Sequence, residues 1–106
     1  MLTVWLFFIW IIWKEDSETP PGLVFDAISR LSLNREDVLL DIGSGIGNVL
    51  LQVSAQVGCR VYGIEIDSEL HKIAAQLKDH YITLMKEKNK PFGDIQLLLV
   101  CQTVTN

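Results

Sequence analysis

The apolar residues of this chain follow two rhythms. Leu23, Val24, Ala27, Ile28 and Leu31 recur at helical spacing. Val49, Leu50, Val53 and Val57 repeat it, and Leu70, Ile73, Ala74, Leu77, Tyr81, Leu84 and Met85 form a longer amphipathic stripe. Between these stripes, Asp37 to Ile42, Arg60 to Ile64 and Ile95 to Val100 read as short strands. The apolar run of the first predicts burial on both faces, and the third is expected to be buried. Turn residues punctuate the series. Pro20-Pro21-Gly22 opens the first helix, Ser32 to Glu36 is a polar turn, and Gly58 ends the second helix near Gln56. Asp67 or Ser68 caps the third helix, with Glu69 in its first turn. That helix is expected to fray through Lys86-Glu87-Lys88-Asn89-Lys90 and to be closed by Pro91-Phe92-Gly93. Helix and strand therefore alternate three times, which predicts an α/β fold: three parallel strands joined by right-handed crossovers.

Residues 1–13, MLTVWLFFIWIIW, stand outside this rhythm and are treated as a separate apolar segment, with 14–106 as the domain proper. The segment is shorter than the ~20 residues that span a bilayer. It has neither the basic start nor the cleavage site of a signal peptide. Three readings stay open: a strand or helix packed on the core, a membrane or interfacial anchor, or sequence foreign to the domain. Trp5, Trp10 and Trp13 fit a buried cluster or an interface belt.

Composition changes the picture little. A hydrophobic content of 49% and a charged content of 21% support a packed core in 106 residues. A net charge of −4 excludes a strongly basic nucleic-acid-binding segment. Cys59 and Cys101 match no metal spacing and no disulfide framework, and His71 and His80 are half a turn out of phase on one helix, so no metal site is expected.

The chemistry concentrates in Asp41-Ile42-Gly43-Ser44-Gly45-Ile46-Gly47-Asn48, at the turn from the first strand into the second helix. Its glycines let the backbone turn tightly and approach a ligand without Cβ clashes. In a dinucleotide loop the third glycine comes one residue later and a pyrophosphate sits on the helix N-terminus. Here Asn48 occupies that later place, and the strand ends in a carboxylate that would repel a pyrophosphate. S-adenosyl-L-methionine suits the loop better: it carries a sulfonium and an ammonium and no phosphate. Dinucleotide binding and a purely structural glycine turn remain beside this reading. Glu65, 24 residues beyond Asp41 at the end of the second strand, is placed to accept hydrogen bonds from both hydroxyls of a ribose.

Taken together, Gly-Ser-Gly-x-Gly-Asn48, the following Leu51-Gln52, Gly58-Cys59 and Gly63-Ile64-Glu65 resemble the disruptor-of-telomeric-silencing family, the non-SET histone H3 lysine methyltransferases. The resemblance runs from about Glu18 to Leu99 and is sharpest between Val38 and Glu65. It implies the first half of a Rossmann-like methyltransferase fold. It also implies S-adenosyl-L-methionine as cofactor, the globular core of histone H3 in nucleosomes as partner, and a nuclear protein. Asp41, Gly43, Ser44, Gly45, Gly47 and Asn48 would line the methionine end and the sugar, and Glu65 would bind the ribose. Glu18 and Thr19 match the second half of a family loop that covers the cofactor, although Asp16 and Ser17 replace its aromatic and glycine. Where the family carries an acid and an aromatic that hold the adenine, this chain reads Val100-Cys101-Gln102, and the segments that build the lysine channel have no counterpart. The catalytic domain is therefore expected to be incomplete, and no catalytic residue is assigned. A membrane-tethered methyltransferase and a non-catalytic cofactor-binding module are the alternatives.

Overall fold

A computed structural model describes residues 4–7 and 21–100. Its elements run β1 (Val4–Phe7), α1 (Pro21–Leu31), β2 (Val38–Ile42), α2 (Asn48–Gln56), β3 (Arg60–Glu65), α3 (Ser68–Glu87) and β4 (Ile95–Leu99). The three expected strands form one parallel sheet, and β1 adds a fourth, in the order β1-β2-β3-β4. The start of the apolar N-terminal segment is thus a strand on the free edge of β2, with Phe7 level with Asp41. A short parallel strand there gives β2 a second set of backbone partners, which an apolar strand needs. The remainder of that segment lies outside the described residues.

Local signals set the boundaries. Pro21 opens α1, where its missing N–H costs nothing. The helix ends on left-handed Ser32, with the Leu33 N–H donating to the Ile28 carbonyl at 3.3 Å. Asn34 to Asp37 then forms a tight turn, in which the Asn34 N–H donates to Asp37 Oδ2 at 2.9 Å. Gly58, at φ +79°, stops α2 as expected. Asp67 caps α3 by accepting from the Glu69 and Leu70 N–H groups at 2.9 and 3.2 Å. The far end of α3 differs from expectation. It closes at Glu87 through left-handed Asn89 and a Lys90 N–H to Met85 carbonyl bond of 2.9 Å, before the proline is reached.

In register, Leu39, Val61 and Ile95 form one buried row across the sheet. Val24 from α1 and Val49, Leu50 and Val53 from α2 pack on that row with Cys59, and Tyr81 of α3 joins from the edge. All three described helices therefore pack on the same core. Burial on both faces, expected for the first of these strands, does not hold, and the third is buried mainly at Ile95. Ile42 and Leu98, which belong to the opposite row, are 42% and 51% exposed. An apolar run reports that a strand belongs to a core; it does not report how many layers cover it.

Candidate cofactor site

Alternation along β2 sends Leu39 and Asp41 to the helix-covered side. Leu39 joins the core, and Asp41 sits at the carboxyl end of the sheet with 3% of its surface exposed. Its register partner on β3 is Gly63, and two residues further on the same side comes Glu65, 7% exposed. Two buried carboxylates from neighbouring strands thus meet where open α/β sheets bind ligands.

The glycine loop is strapped over the end of β3. The Gly43 and Ser44 N–H groups both donate to the Ile64 carbonyl, at 2.7 and 3.1 Å. The Gly47 N–H donates to the Ser44 carbonyl at 3.0 Å. Gly43, Gly45 and Gly47 all have positive φ, at +79°, +58° and +89°. Such a run of left-handed positions is open to glycine at little cost and strained for nearly every other residue. Gly47 also serves as the N-cap of α2 and offers that helix no side-chain cap.

Glu65 locks the arrangement. Its Oε1 accepts from the Gly45 N–H at 2.7 Å, and its Oε2 accepts from the Ile66 and Asp67 N–H groups at 3.0 and 2.9 Å. One carboxylate therefore joins the end of β3, the cap of α3 and the middle of the loop. A carboxylate has about four lone-pair sites, so with three filled it retains acceptor capacity for a ligand hydroxyl. Asp41 is in the opposite condition: among the described residues no N–H or O–H donor reaches its carboxyl. Burial first, and the Glu65 charge second, push it up to about 7.

The structure brings together Asp41, Gly43, Ser44, Gly45, Gly47, Asn48 and Glu65. Ser44 is buried and Asn48 half-buried as the first residue of α2. Glu18 and Thr19 lie outside the described residues. Sequence reasoning gave Gly63 no role of its own, yet the site depends on it. A Cβ there would collide with Leu50 Cδ1 and meet Ser44 Oγ at 2.8 Å, so only glycine lets the loop seat against β3. The available signal was a glycine inside a strand pattern, which marks close backbone approach.

Away from this edge, Ser54 ties α2 to the loop before β4. Its hydroxyl donates to the Gly93 carbonyl at 2.7 Å and accepts from the Tyr81 hydroxyl at 3.0 Å. Cys59 is a free, fully buried thiol whose pKa burial raises. Among the described residues no three His, Cys, Asp or Glu side chains cluster as metal ligands. Nor is any helix among them long and apolar enough to cross a membrane.

Comparison with known proteins converges on one family. Residues 16–99 match the family model described as histone methylation protein DOT1. A histone-lysine N-methyltransferase, H3 lysine-79 specific, from Dictyostelium discoideum is 45% identical over 64 residues, covering 60% of this chain and 4% of that protein. A protein of the same description from Yarrowia lipolytica is 30% identical over 81 residues, covering 76% of this chain and 16% of its own length. The chain thus spans a small part of these relatives. Among solved structures, an RNA methyltransferase from Salinibacter ruber in complex with S-adenosyl-L-homocysteine superposes with a TM-score of 0.66 at 25% identity. That match covers 79% of this chain and 50% of the other, and it establishes a Rossmann-like methyltransferase fold for the part described here.

Proposed function

Because the chain belongs to the DOT1 family of histone methylation proteins, we propose that it forms the S-adenosyl-L-methionine-binding part of a histone-lysine N-methyltransferase. In this reading it acts in the nucleus on the globular core of histone H3 within nucleosomes. The observation that carries the cofactor assignment is the pair of buried carboxylates flanking a glycine loop, one of them without a hydrogen-bond donor among the described residues. A buried carboxylate needs a partner in order to ionise, and a ligand with a sulfonium and an ammonium supplies one where a pyrophosphate would add repulsion. The histone assignment rests on the relatives, which are H3 lysine-79 specific enzymes.

When bound, the cofactor supplies the methyl group. What this chain's residues contribute is position. Gly43 to Gly47 hold backbone close to the ligand, Glu65 takes a ribose hydroxyl on its remaining acceptor site, and Asp41 faces the cationic methionine end. Transfer to a lysine needs a deprotonated amine in line with the methyl, so fixing the cofactor's orientation is a large share of the catalytic work.

Calorimetric titration of the full chain with S-adenosyl-L-methionine at pH 8 tests the cofactor half. Saturable binding is expected, weakened about tenfold or more by Glu65→Ala, as befits loss of a hydrogen bond to a charged group. Equal or tighter binding of NAD would sink it. For the histone half, residues 16–99 can replace the matching segment of the Yarrowia lipolytica enzyme. A chimera that binds cofactor yet fails to methylate H3 in nucleosomes would remove that assignment.

A further inference from the structure

Asp41 and Glu65 hold their carboxylates in opposite ways. Glu65 receives three backbone N–H bonds. Asp41 is almost wholly buried and has no donor among the described residues. Among the described residues the elements around it offer no cation either. β1 has the sequence Val4-Trp5-Leu6-Phe7, and α2 carries no ionisable residue. On β3, Arg60 pairs with Val38 at the far end of the sheet and Tyr62 belongs to the opposite row, which leaves Glu65 as the charge among the described residues that faces Asp41. Two carboxylates this close and this dry do not both ionise readily without a counter-ion. Asp41 has no donor among the described residues and burial raises its carboxyl, so the proton of the pair belongs to Asp41.

We propose that cofactor capture is exchanged for a proton: ligand-free protein carries Asp41 as the neutral acid, and the arriving cationic methionine end expels that proton to solvent. The carboxylate left behind is the counter-ion of the bound ligand. This rests on the cofactor reading above and adds a condition to it, since the Asp41 proton must leave before the charge pair can form. Burial and Glu65 place the Asp41 carboxyl near 7, so the exchange falls in the range where cellular pH varies. The sign is fixed: below neutrality the neutral form competes with the ligand, and affinity falls by up to tenfold per pH unit.

Counting protons tests the exchange. At pH 6 the cofactor's own amino group, with a pKa near 8, and its carboxyl, near 3.5, do not titrate. Titration of the full chain with S-adenosyl-L-methionine in buffers of different ionisation enthalpy then reads the protein's proton alone. About one proton released per cofactor is expected at pH 6, with affinity weakening about fivefold between pH 7 and pH 6. Asp41→Asn should bind more weakly than the native chain at pH 8, release none and show no pH dependence from 5.5 to 7. Glu65→Gln, which removes the neighbouring charge and gives up at least one of the three accepted bonds, should move the midpoint of the pH dependence to lower pH. Binding by the native chain without proton release and with flat affinity overturns the exchange and leaves the cofactor reading standing. No binding at any pH from 5.5 to 8 removes both.

Discussion

At the scale of the residue, Asp41 makes opposed demands on folding and on binding. Its carboxyl is raised from the 3.8 of a free aspartate to about 7 in the fold. Between those values the native state holds a proton that the unfolded chain has released, so stability falls as pH rises. The cost is absent below about pH 4 and complete above about pH 7. Asp41→Asn should therefore melt higher than the native chain at pH 8, by about 4–8 °C for each kcal/mol recovered, with the gap closing toward pH 4. Scanning calorimetry of both proteins across that range checks it, and a variant that melts lower at pH 8 contradicts it. Gly63 answers a different demand. It stabilises nothing by contact, and its missing side chain is the space that Ser44 and Leu50 occupy.

Among the elements, α3 begins beside the site, as α2 does. Asp67 caps the helix with its side chain, while its backbone N–H donates to Glu65. The cap and Glu65, the acid proposed to bind the ribose, are thus adjacent but chemically separable. Asp67→Ala should cost about 1 kcal/mol of stability, the usual value of a lost N-cap, read as a lower urea midpoint. Cofactor affinity should change less than about twofold, because the backbone donor to Glu65 survives; a large loss of affinity would show the cap side chain itself to be part of the site. Further along, Tyr81 stands edge-on to Phe92, with ring centroids 5.7 Å apart, and donates to Ser54. This fixes α3 to α2 and to the turn before β4 through the buried hydroxyl of one serine. The glycine that follows Phe92 is equally constrained, since a Cβ on Gly93 would run into the Cys59 carbonyl.

At the scale of the molecule, β1 sits on the edge of β2, beside the strand that carries Asp41. An unpaired apolar strand edge invites pairing with other chains. Deleting residues 1–13 should lower the thermal midpoint by more than about 5 °C, the equivalent of roughly 1 kcal/mol, and reduce solubility. An unchanged melting curve and a monodisperse product would show that β1 does not support the sheet.

Periodicity alone set out the three helices and the three main strands, because helical and extended backbones impose different spacings on the residues that reach a core. The order of elements dictated a parallel sheet, and the early third glycine with Asp41 selected a cationic cofactor over a dinucleotide. These features are local, and local features are written in consecutive residues. What consecutive residues could not express was decided by contact across the sheet. The pairing of β1 with β2, the helices gathered on one core, the seat that Gly63 makes for Ser44 and the three-way bond of Glu65 all join positions distant in sequence. The state of Asp41 is of the same kind: its type was legible, and its proton is set by burial and by a second carboxylate that only the register of β2 and β3 brings alongside.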